Sequence, residues 1–443
     1  MNISCIFIWI LYKNCINLQT EDRTKLLIMN NDFKQQLQDR EFAKLKDENR
    51  VILKWATGCG KSKMTIDLIN YNVDPLTSGK FKHKVLFLVA ERAHINNWEK
   101  EFDKWSLKRA NVCTDVCCYA SLHKYKDFNY DIVVLDEAHH VFSEKRMAAL
   151  EEVKNNLMPN AHIYLLSATL SSSKIDAIEE MFGKFTLSTV TLKDAIQNDI
   201  LPDPKVYVID MELKDRIPDK IIKIGKDKST LRVKWENRHK YIFKNIPCNI
   251  MCTEKQKYIY YTDTMEYWKQ RYEISKNQFH HNIWVNTGSQ RKRYLGELKT
   301  VAVRDLLLRL PRNKRYVCFC ASVAQAEILN ARDTISSKKT AKHNQAIIDA
   351  FNSRKSNSIY AIGMITEGMN LTDIELGIIT QLDGKERLFI QKFGRVLRAD
   401  SPVICIFYYK DTQDEVYLKK ALENIDSKYI QYININQLNK IKL

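Results

Sequence analysis

The chain has 443 residues, 45% of them hydrophobic, a formal net charge of +17 and a pI near 9.2. Its length suits about two or three domain-sized cores, and its apolar content excludes bulk disorder. So basic a balance is unusual for an enzyme of small metabolites and suits a polyanionic partner such as nucleic acid.

At the N-terminus, Ile3 to Tyr12 is apolar, but a stretch of about ten residues is half of what a bilayer crossing needs. It also lacks the basic leader and Ala-x-Ala site of a signal peptide, so no membrane partner is expected. Residues 1–28 read as an extension or a mis-called start, because Met29-Asn-Asn-Asp-Phe33 opens the segment leading into the first motif.

That motif is Trp55-Ala-Thr-Gly-Cys-Gly-Lys-Ser62, directly after the apolar run Val51-Ile52-Leu53. A strand that opens through glycines into a helix presents consecutive backbone N–H groups and a positive dipole end, which together cradle a polyphosphate. Lys61 would reach the β- and γ-phosphates, and the Ser62 hydroxyl would hold Mg²⁺. Trp55 stands where the general pattern has its first glycine, leaving the shorter Thr-Gly-x-Gly-Lys-Ser form. Further on, Tyr130-Asp-Ile-Val-Val-Leu135 reads as a buried parallel strand ending in Asp136-Glu137-Ala138-His139. Carboxylates at that end of a strand lie on the ligand edge of an open α/β sheet. Asp136 would hold Mg²⁺ through water, and Glu137 would orient and deprotonate an attacking water. His139 and His140 read as polar coupling residues, having no partner at a metal-ligand spacing.

Strands are predicted at 51–56, 84–90, 113–119, 131–135 and 162–167 with helices between, the alternation of a right-handed parallel sheet. Leu201-Pro-Asp-Pro204 marks a linker. From Lys205 to Arg315 there are 26 Lys and Arg against 12 Asp and Glu. Aromatics including Tyr258, Tyr261, Trp268, Tyr272 and Trp284 are interleaved, as on a surface that tracks phosphates; the competing reading makes them the core of a helical subdomain. Helices are expected there at 253–275 and 296–310. A second alternation follows, with strands at 315–320, 358–364, 376–381 and 402–409 and helices at 323–330, 343–353, 386–398 and 413–424. On the third of these helices Gln391, Arg395 and Arg398 recur at spacings that share one face. Gly394 among them is poor for a helix interior, and a close approach by another backbone or a ligand would explain it.

Eleven cysteines, an odd count with several in expected core strands, point to a reducing cytoplasm. Cys113-x3-Cys117 and Cys248-x3-Cys252 have no nearby histidine pair to complete a tetrahedral set, so no zinc is expected.

In order and in kind, these motifs resemble those of the superfamily-two helicases and translocases, of DEAH-box type, from about Gln38 to the last fifty residues. Thr57-Gly-Cys-Gly-Lys-Ser62 resembles motif I, Val85–Ala90 with Arg92 motif Ia, Tyr119-Ala-Ser-Leu122 motif Ib, Asp136–His139 motif II and Ser167-Ala-Thr169 motif III. Tyr316–Ser322 resembles motif IV, Thr366–Leu371 motif V and Gln391–Arg398 motif VI.

The resemblance implies two tandem RecA-like parallel-sheet lobes, 29–200 and 201–443, the second carrying a basic, mainly helical insertion at about 213–312. It implies ATP bound with Mg²⁺ in the cleft between them. Thr57, Gly58, Cys59, Gly60, Lys61 and Ser62 would cradle the phosphates and Gln38 would read the adenine. Ser62 and Asp136 would hold the metal, Glu137 would be the base, and Gln391, Arg395 and Arg398 would complete the site from the second lobe. Arg92, Ser121, Ser322 and Thr366 would touch nucleic acid, and Ser167, Thr169 and Gly368 would couple the two events. Asp194–Pro202 and the Gly-Arg-Val-Leu-Arg of motif VI are similar to phage and DNA-repair helicases of branched duplexes. Cys252–Tyr258 and Leu298–Leu306 are similar to Swi/Snf-type duplex translocases. Duplex or branched DNA is the expected partner, and the cytoplasm, a host's if the chain is phage-encoded, the expected place. Three other readings compete. A nucleic-acid-binding scaffold with a degenerate ATP site is favoured by Asn370, where motif V commonly has an acidic residue. An RNA helicase is the second. A phosphate-loop kinase of small molecules would leave Gln391–Arg398 and the basic segment unexplained.

Overall fold

The structure is a computed structural model that describes residues 32–73, 82–224, 232–235, 238–241, 248–362, 371–384, 393–394, 396–397 and 399–442. A helix, α1 (32–45), leads into β1 (Arg50–Trp55), α2 (Lys61–Asn72), β2 (His83–Val89), α3 (Arg92–Lys104) and β3 (Val112–Cys118). Then come β4 (Ile132–Asp136), α4 (Glu144–Asn155), β5 (His162–Leu166), α5 (Ser172–Phe182), β6 (Thr186–Val190) and α6 (Leu192–Gln197). The six strands form one sheet in the order β3-β2-β4-β5-β1-β6, paired in parallel throughout.

Both faces of this sheet are covered. Val51, Leu53, Phe87, Val134 and Tyr164 enter one apolar cluster, while the alternate residues Ile52, Leu86, Val133, Leu135 and Ile163 enter another. That two-sided burial is why these strands read as continuous apolar runs rather than as alternating ones. The order places β5 between β1 and β4, so the loops leaving the C-terminal ends of all three open side by side. An open parallel sheet binds ligands at this edge.

The second sheet begins with β7 (Lys205–Met211), which pairs with β16 (Val403–Tyr409) across nearly two hundred residues. Its other strands are β12 (Tyr316–Phe319), β13 (Thr334–Ile335), β14 (Ser358–Ala361), β15 (Leu376–Ile379) and β17 (Ile430–Asn434). The order is β13-β14-β12-β15-β16-β7-β17, again wholly parallel. Helices α10 (Val323–Asn330), α11 (Ala341–Asn352) and α12 (Gln413–Leu422) lie on this lobe. The fold is therefore two parallel-sheet α/β lobes, as expected.

Between β7 and β12 the chain builds a subdomain of its own. Strands β8 (Lys220–Ile224) and β11 (Cys248–Cys252) pair antiparallel, as do β9 (Arg232–Trp235) and β10 (Arg238–Tyr241), so this segment is less uniformly helical than its sequence suggests. Two long helices follow, α7 (Glu254–Ser275) and α8 (Gln278–Leu298), then α9 (Thr300–Leu307). The Thr253 hydroxyl accepts the N–H of Gln256, whose side chain accepts the N–H of Thr253, starting α7 with a reciprocal cap. Lys276 turns the chain at φ 52°, and the Asn277 side chain caps α8. Aromatic rings fill the seam: Tyr272 stacks on Trp284 with centroids 5.9 Å apart, and Trp268 packs against Phe279 and His280.

This packing takes some of the segment's basic residues away from a phosphate-tracking surface. Arg291 is buried and donates to Thr262 Oγ1 at 3.2 Å and Gln413 Oε1 at 3.0 Å, Lys292 pairs with Asp383 at 3.1 Å, and Arg293 is exposed. Lys299 and Arg315 are buried as well. The excess available to a partner is therefore smaller than the count of basic residues, and Arg271, Lys276, Arg293, Arg304, Arg309 and Arg312 are among its exposed members. No helix among the described residues is long and apolar enough to cross a membrane.

Candidate active site

Trp55 closes β1 with its side chain turned into the core. It is fully buried, its indole donates to Ser188 Oγ at 2.7 Å, and that hydroxyl donates to Glu41 Oε2 at 2.7 Å. The departure from glycine at this position thus anchors α1 to β6, leaving the phosphate loop to start at Thr57. Gly58 and Gly60 take φ 96° and 94°, values that L side chains rarely adopt. A Cβ on Gly60 would lie 2.0 Å from Gln38 Nε2. Gln38 lies that close because α1 aims it over the loop: it is buried and donates to the Cys59 carbonyl at 3.3 Å, whereas Gln35 and Gln36 are exposed. Lys61 opens α2 and donates to the Trp55 carbonyl at 2.8 Å. The Cys59 thiol is pushed up to about 11 by burial, which Lys61 and Lys34 only partly offset, so it stays neutral.

Across the sheet, Asp136 ends β4 and Glu137 takes φ 47°, a costly left-handed conformation for a non-glycine residue. The Asp136 carboxylate accepts the Glu137 N–H on Oδ1 at 3.0 Å and the Trp98 indole N–H on Oδ2 at 2.9 Å. Its carbonyl accepts the Tyr119 hydroxyl at 2.9 Å. Burial, reinforced by Asp136 and Glu137, keeps that phenol protonated and hence a donor. His139 is buried, with Nδ1 3.4 Å from Glu137 Oε2 and 3.5 Å from Ser167 Oγ; Ser167 Oγ in turn accepts the Thr169 N–H at 3.2 Å. Motifs II and III therefore form one chain of contacts, Glu137–His139–Ser167–Thr169. His140 packs against the Tyr119 ring, and its carbonyl accepts Arg146 Nη1 at 2.6 Å.

The second lobe reaches the loop at Gly394. This residue is helical, and a Cβ added to it would lie 2.7 Å from the Cβ of Thr57. That close approach explains a glycine in a helix. Gly394→Ala is expected to part the lobes by a fraction of an ångström and lower ATP turnover by about tenfold, read from steady-state hydrolysis beside an unchanged melting curve. Gln391, Arg395, Arg398, Thr366 and Gly368 lie outside the described residues.

Arg92 and Ser121 come together, at the start of α3 and in the short 3₁₀ helix Tyr119–Lys124. They line a cavity of about 400 Å³ with Asn96, Cys118 and Lys124. Ser322 is not brought there: it is nearly buried, and its hydroxyl caps α10 by accepting the Gln325 N–H at 3.1 Å. Cys113 and Cys117 share strand β3, and Cys248 and Cys252 share β11. Four residues along a strand span about 13 Å, too far for either pair to share a zinc ion. Trp98 and Glu41 support the site without a sequence signal of their own, since each acts on a residue distant in the chain.

A nucleotide loop after β1, paired carboxylates after β4 and a second parallel lobe closing on that loop define a two-lobe phosphate-loop ATPase. The comparisons agree with that class. Residues 298–400 match the helicase conserved C-terminal domain, 19–121 the res subunit of type III restriction enzymes, and 112–178 the DEAD/DEAH box helicase domain. The chain is similar in structure to Saccharomyces cerevisiae Dbp5 bound to RNA and ADP BeF3, at 10% identity and TM-score 0.54, covering 89% of this chain and 88% of that one. It is also similar to the ATP-dependent type ISP restriction-modification enzyme LlaBIII bound to DNA, at 13% identity and TM-score 0.53, over 91% of this chain and 31% of that one. A third similar structure is Mss116p bound to ssRNA and AMP-PNP, at 13% identity and TM-score 0.51, over 87% and 72%. No curated protein matches. The chain belongs to the superfamily-two helicases and is an ATP-hydrolysing, nucleic-acid-dependent enzyme.

Proposed function

We propose that this helicase couples Mg-ATP hydrolysis between its lobes to movement along, or remodelling of, duplex DNA. One observation carries the choice of DNA: residues 19–121 match the res subunit of a restriction enzyme. The solved enzyme LlaBIII, described as bound to DNA, supports the same reading. The basic subdomain inserted between β7 and β12 supplies exposed cations for a phosphate backbone. RNA is the second reading, favoured by Dbp5 and Mss116p, both described as bound to RNA.

In this reading the loop from Thr57 to Ser62 cradles the phosphates, Lys61 leaves the Trp55 carbonyl for the β- and γ-phosphates, and Gln38 reads the adenine. The Ser62 hydroxyl and Asp136 carboxylate are hard oxygen donors, suited to Mg²⁺, and each Asp136 oxygen accepts a single N–H, leaving lone pairs for a cation. Mg²⁺ would neutralise charge on the phosphates when bound. Glu137 holds and deprotonates water, with His139 fixing its carboxylate. Arg395 and Arg398 complete the site beside Gly394. Ser167, Thr169 and Gly368 carry the coupling, and Arg92, Ser121 and Thr366 touch the nucleic-acid backbone.

ATP hydrolysis measured with duplex DNA, single-stranded DNA and RNA tests the proposal. Duplex DNA is expected to stimulate most, and stimulation by RNA alone would overturn the choice of DNA. Arg92→Ala should weaken binding evenly across sequences and lower the salt slope by about one, the signature of one lost phosphate contact. Filter binding between low and moderate salt reads it directly.

A further inference from the structure

Trp98 lies on α3, six residues beyond Arg92, and is 3% exposed. Its ring is wedged between Phe87, with centroids 4.8 Å apart, and Phe102, at 5.8 Å. An indole has a single N–H and no acceptor. Here that N–H donates to Asp136 Oδ2 at 2.9 Å, while Oδ1 accepts the Glu137 N–H at 3.0 Å and the Tyr119 hydroxyl holds the Asp136 carbonyl. The carboxylate is thus clamped at both oxygens, one clamp coming from the backbone N–H of the next residue and the other from a rigid aromatic cluster on a different element. A packed aromatic ring with a fixed N–H is a stiff support for a carboxylate whose rotamer must suit a cation.

We propose that Trp98 is a positioning residue that sets the Asp136 carboxylate for Mg²⁺ capture, so that the α3 helix carrying Arg92 also holds the metal ligand. The inference rests on the reading of Asp136 as the metal-holding carboxylate. Nothing in local sequence signals it, because the two residues are 38 positions apart.

The test uses the full chain and needs no turnover. Binding of a fluorescent (N-methylanthraniloyl) ADP is measured in EDTA and then across a Mg²⁺ titration. Trp98→Phe keeps a ring in the cluster but removes the N–H. It is expected to leave Mg²⁺-free nucleotide affinity unchanged and to raise the Mg²⁺ concentration for half-maximal effect about tenfold, the low end for losing a supporting hydrogen bond. Phe102→Leu disturbs the same cluster without touching the N–H and should leave the half-maximal Mg²⁺ unchanged. If Trp98→Phe does not fold, site-specific benzothienylalanine at position 98, which replaces the N–H by sulfur in the same shape, gives the same comparison. A Trp98→Phe or benzothienylalanine protein with wild-type Mg²⁺ dependence would overturn the proposal, as would an equal shift in Phe102→Leu. Asp136→Asn separates the two levels. If it also keeps wild-type Mg²⁺ dependence, the assignment of the metal site fails; if it loses that dependence while Trp98→Phe does not, only the role of Trp98 fails.

Discussion

Glu137→Gln is expected to lower ATP turnover by about a hundredfold or more while leaving ATP affinity near that of the parent enzyme. The side chains are isosteric, so the fold and the steric demands of the site persist. The amide, however, cannot accept a proton from water. The structure sharpens this expectation. Glu137 sits in a left-handed backbone conformation at the end of β4, a strain that the surrounding packing sustains. His139 lies 3.4 Å from its Oε2 and couples it to Ser167. In the proposed reading, nucleotide binding resides on other elements, in the loop between β1 and α2 and on α1. Single-turnover hydrolysis beside equilibrium binding of a fluorescent ATP analogue separates the two effects. Hydrolysis at the parent rate would remove Glu137 from the role of base.

Asp414→Ala is expected to destabilise the second lobe by about 3–5 kcal/mol, the cost of leaving a buried charge without its partner, or roughly 6–20 °C in melting temperature. Lys299 is fully buried, pairs with Asp414 at 2.6 Å and donates to the Thr380 carbonyl at 2.7 Å. Burial lowers the lysine pKa, and Asp414 opposes that shift. With the carboxylate gone, a buried ammonium keeps the Thr380 carbonyl and the face of the Tyr409 ring, 5.9 Å from its centroid, and no counter-charge among the described residues. Replacing both groups, as in Lys299→Met with Asp414→Leu, removes the desolvation cost along with the attraction and should recover most of the loss. Urea denaturation of the two single variants and the double variant closes the cycle. Equal stability of Asp414→Ala and the parent would show that the pair is not what fixes α12 to the base of the inserted hairpin.

Much of the catalytic face was legible because its signals are local. Buried parallel strands must be apolar on both faces, so β1, β2, β4 and β5 read as short apolar runs and lie within a residue or two of the predicted 51–56, 84–90, 131–135 and 162–167. The loop and carboxylate motifs sit at the ends of those runs, where the fold puts the ligand edge. Helix α8 was less legible. Its start, with Asn277, His280, His281 and Asn282, has weak helix propensity, and it is a helix because α7 offers an aromatic face for Trp284, Phe279 and His280 to pack on. Propensity is a prior that such packing overrides.

By itself, then, the sequence determined the two parallel-sheet lobes, the order of the motifs and the residue types at the nucleotide edge, since each depends on contiguous residues and on hydrophobic periodicity. Tertiary structure alone decided which polar groups serve which purpose. Trp55 turned inward to Ser188, Arg291 went to the base of the insertion, Lys299 to Asp414, and Trp98 to Asp136. A basic or aromatic side chain carries the same chemistry on the surface and in the core. Its role is set by which distant donor or acceptor comes within about 3 Å, and only the folded chain fixes that distance.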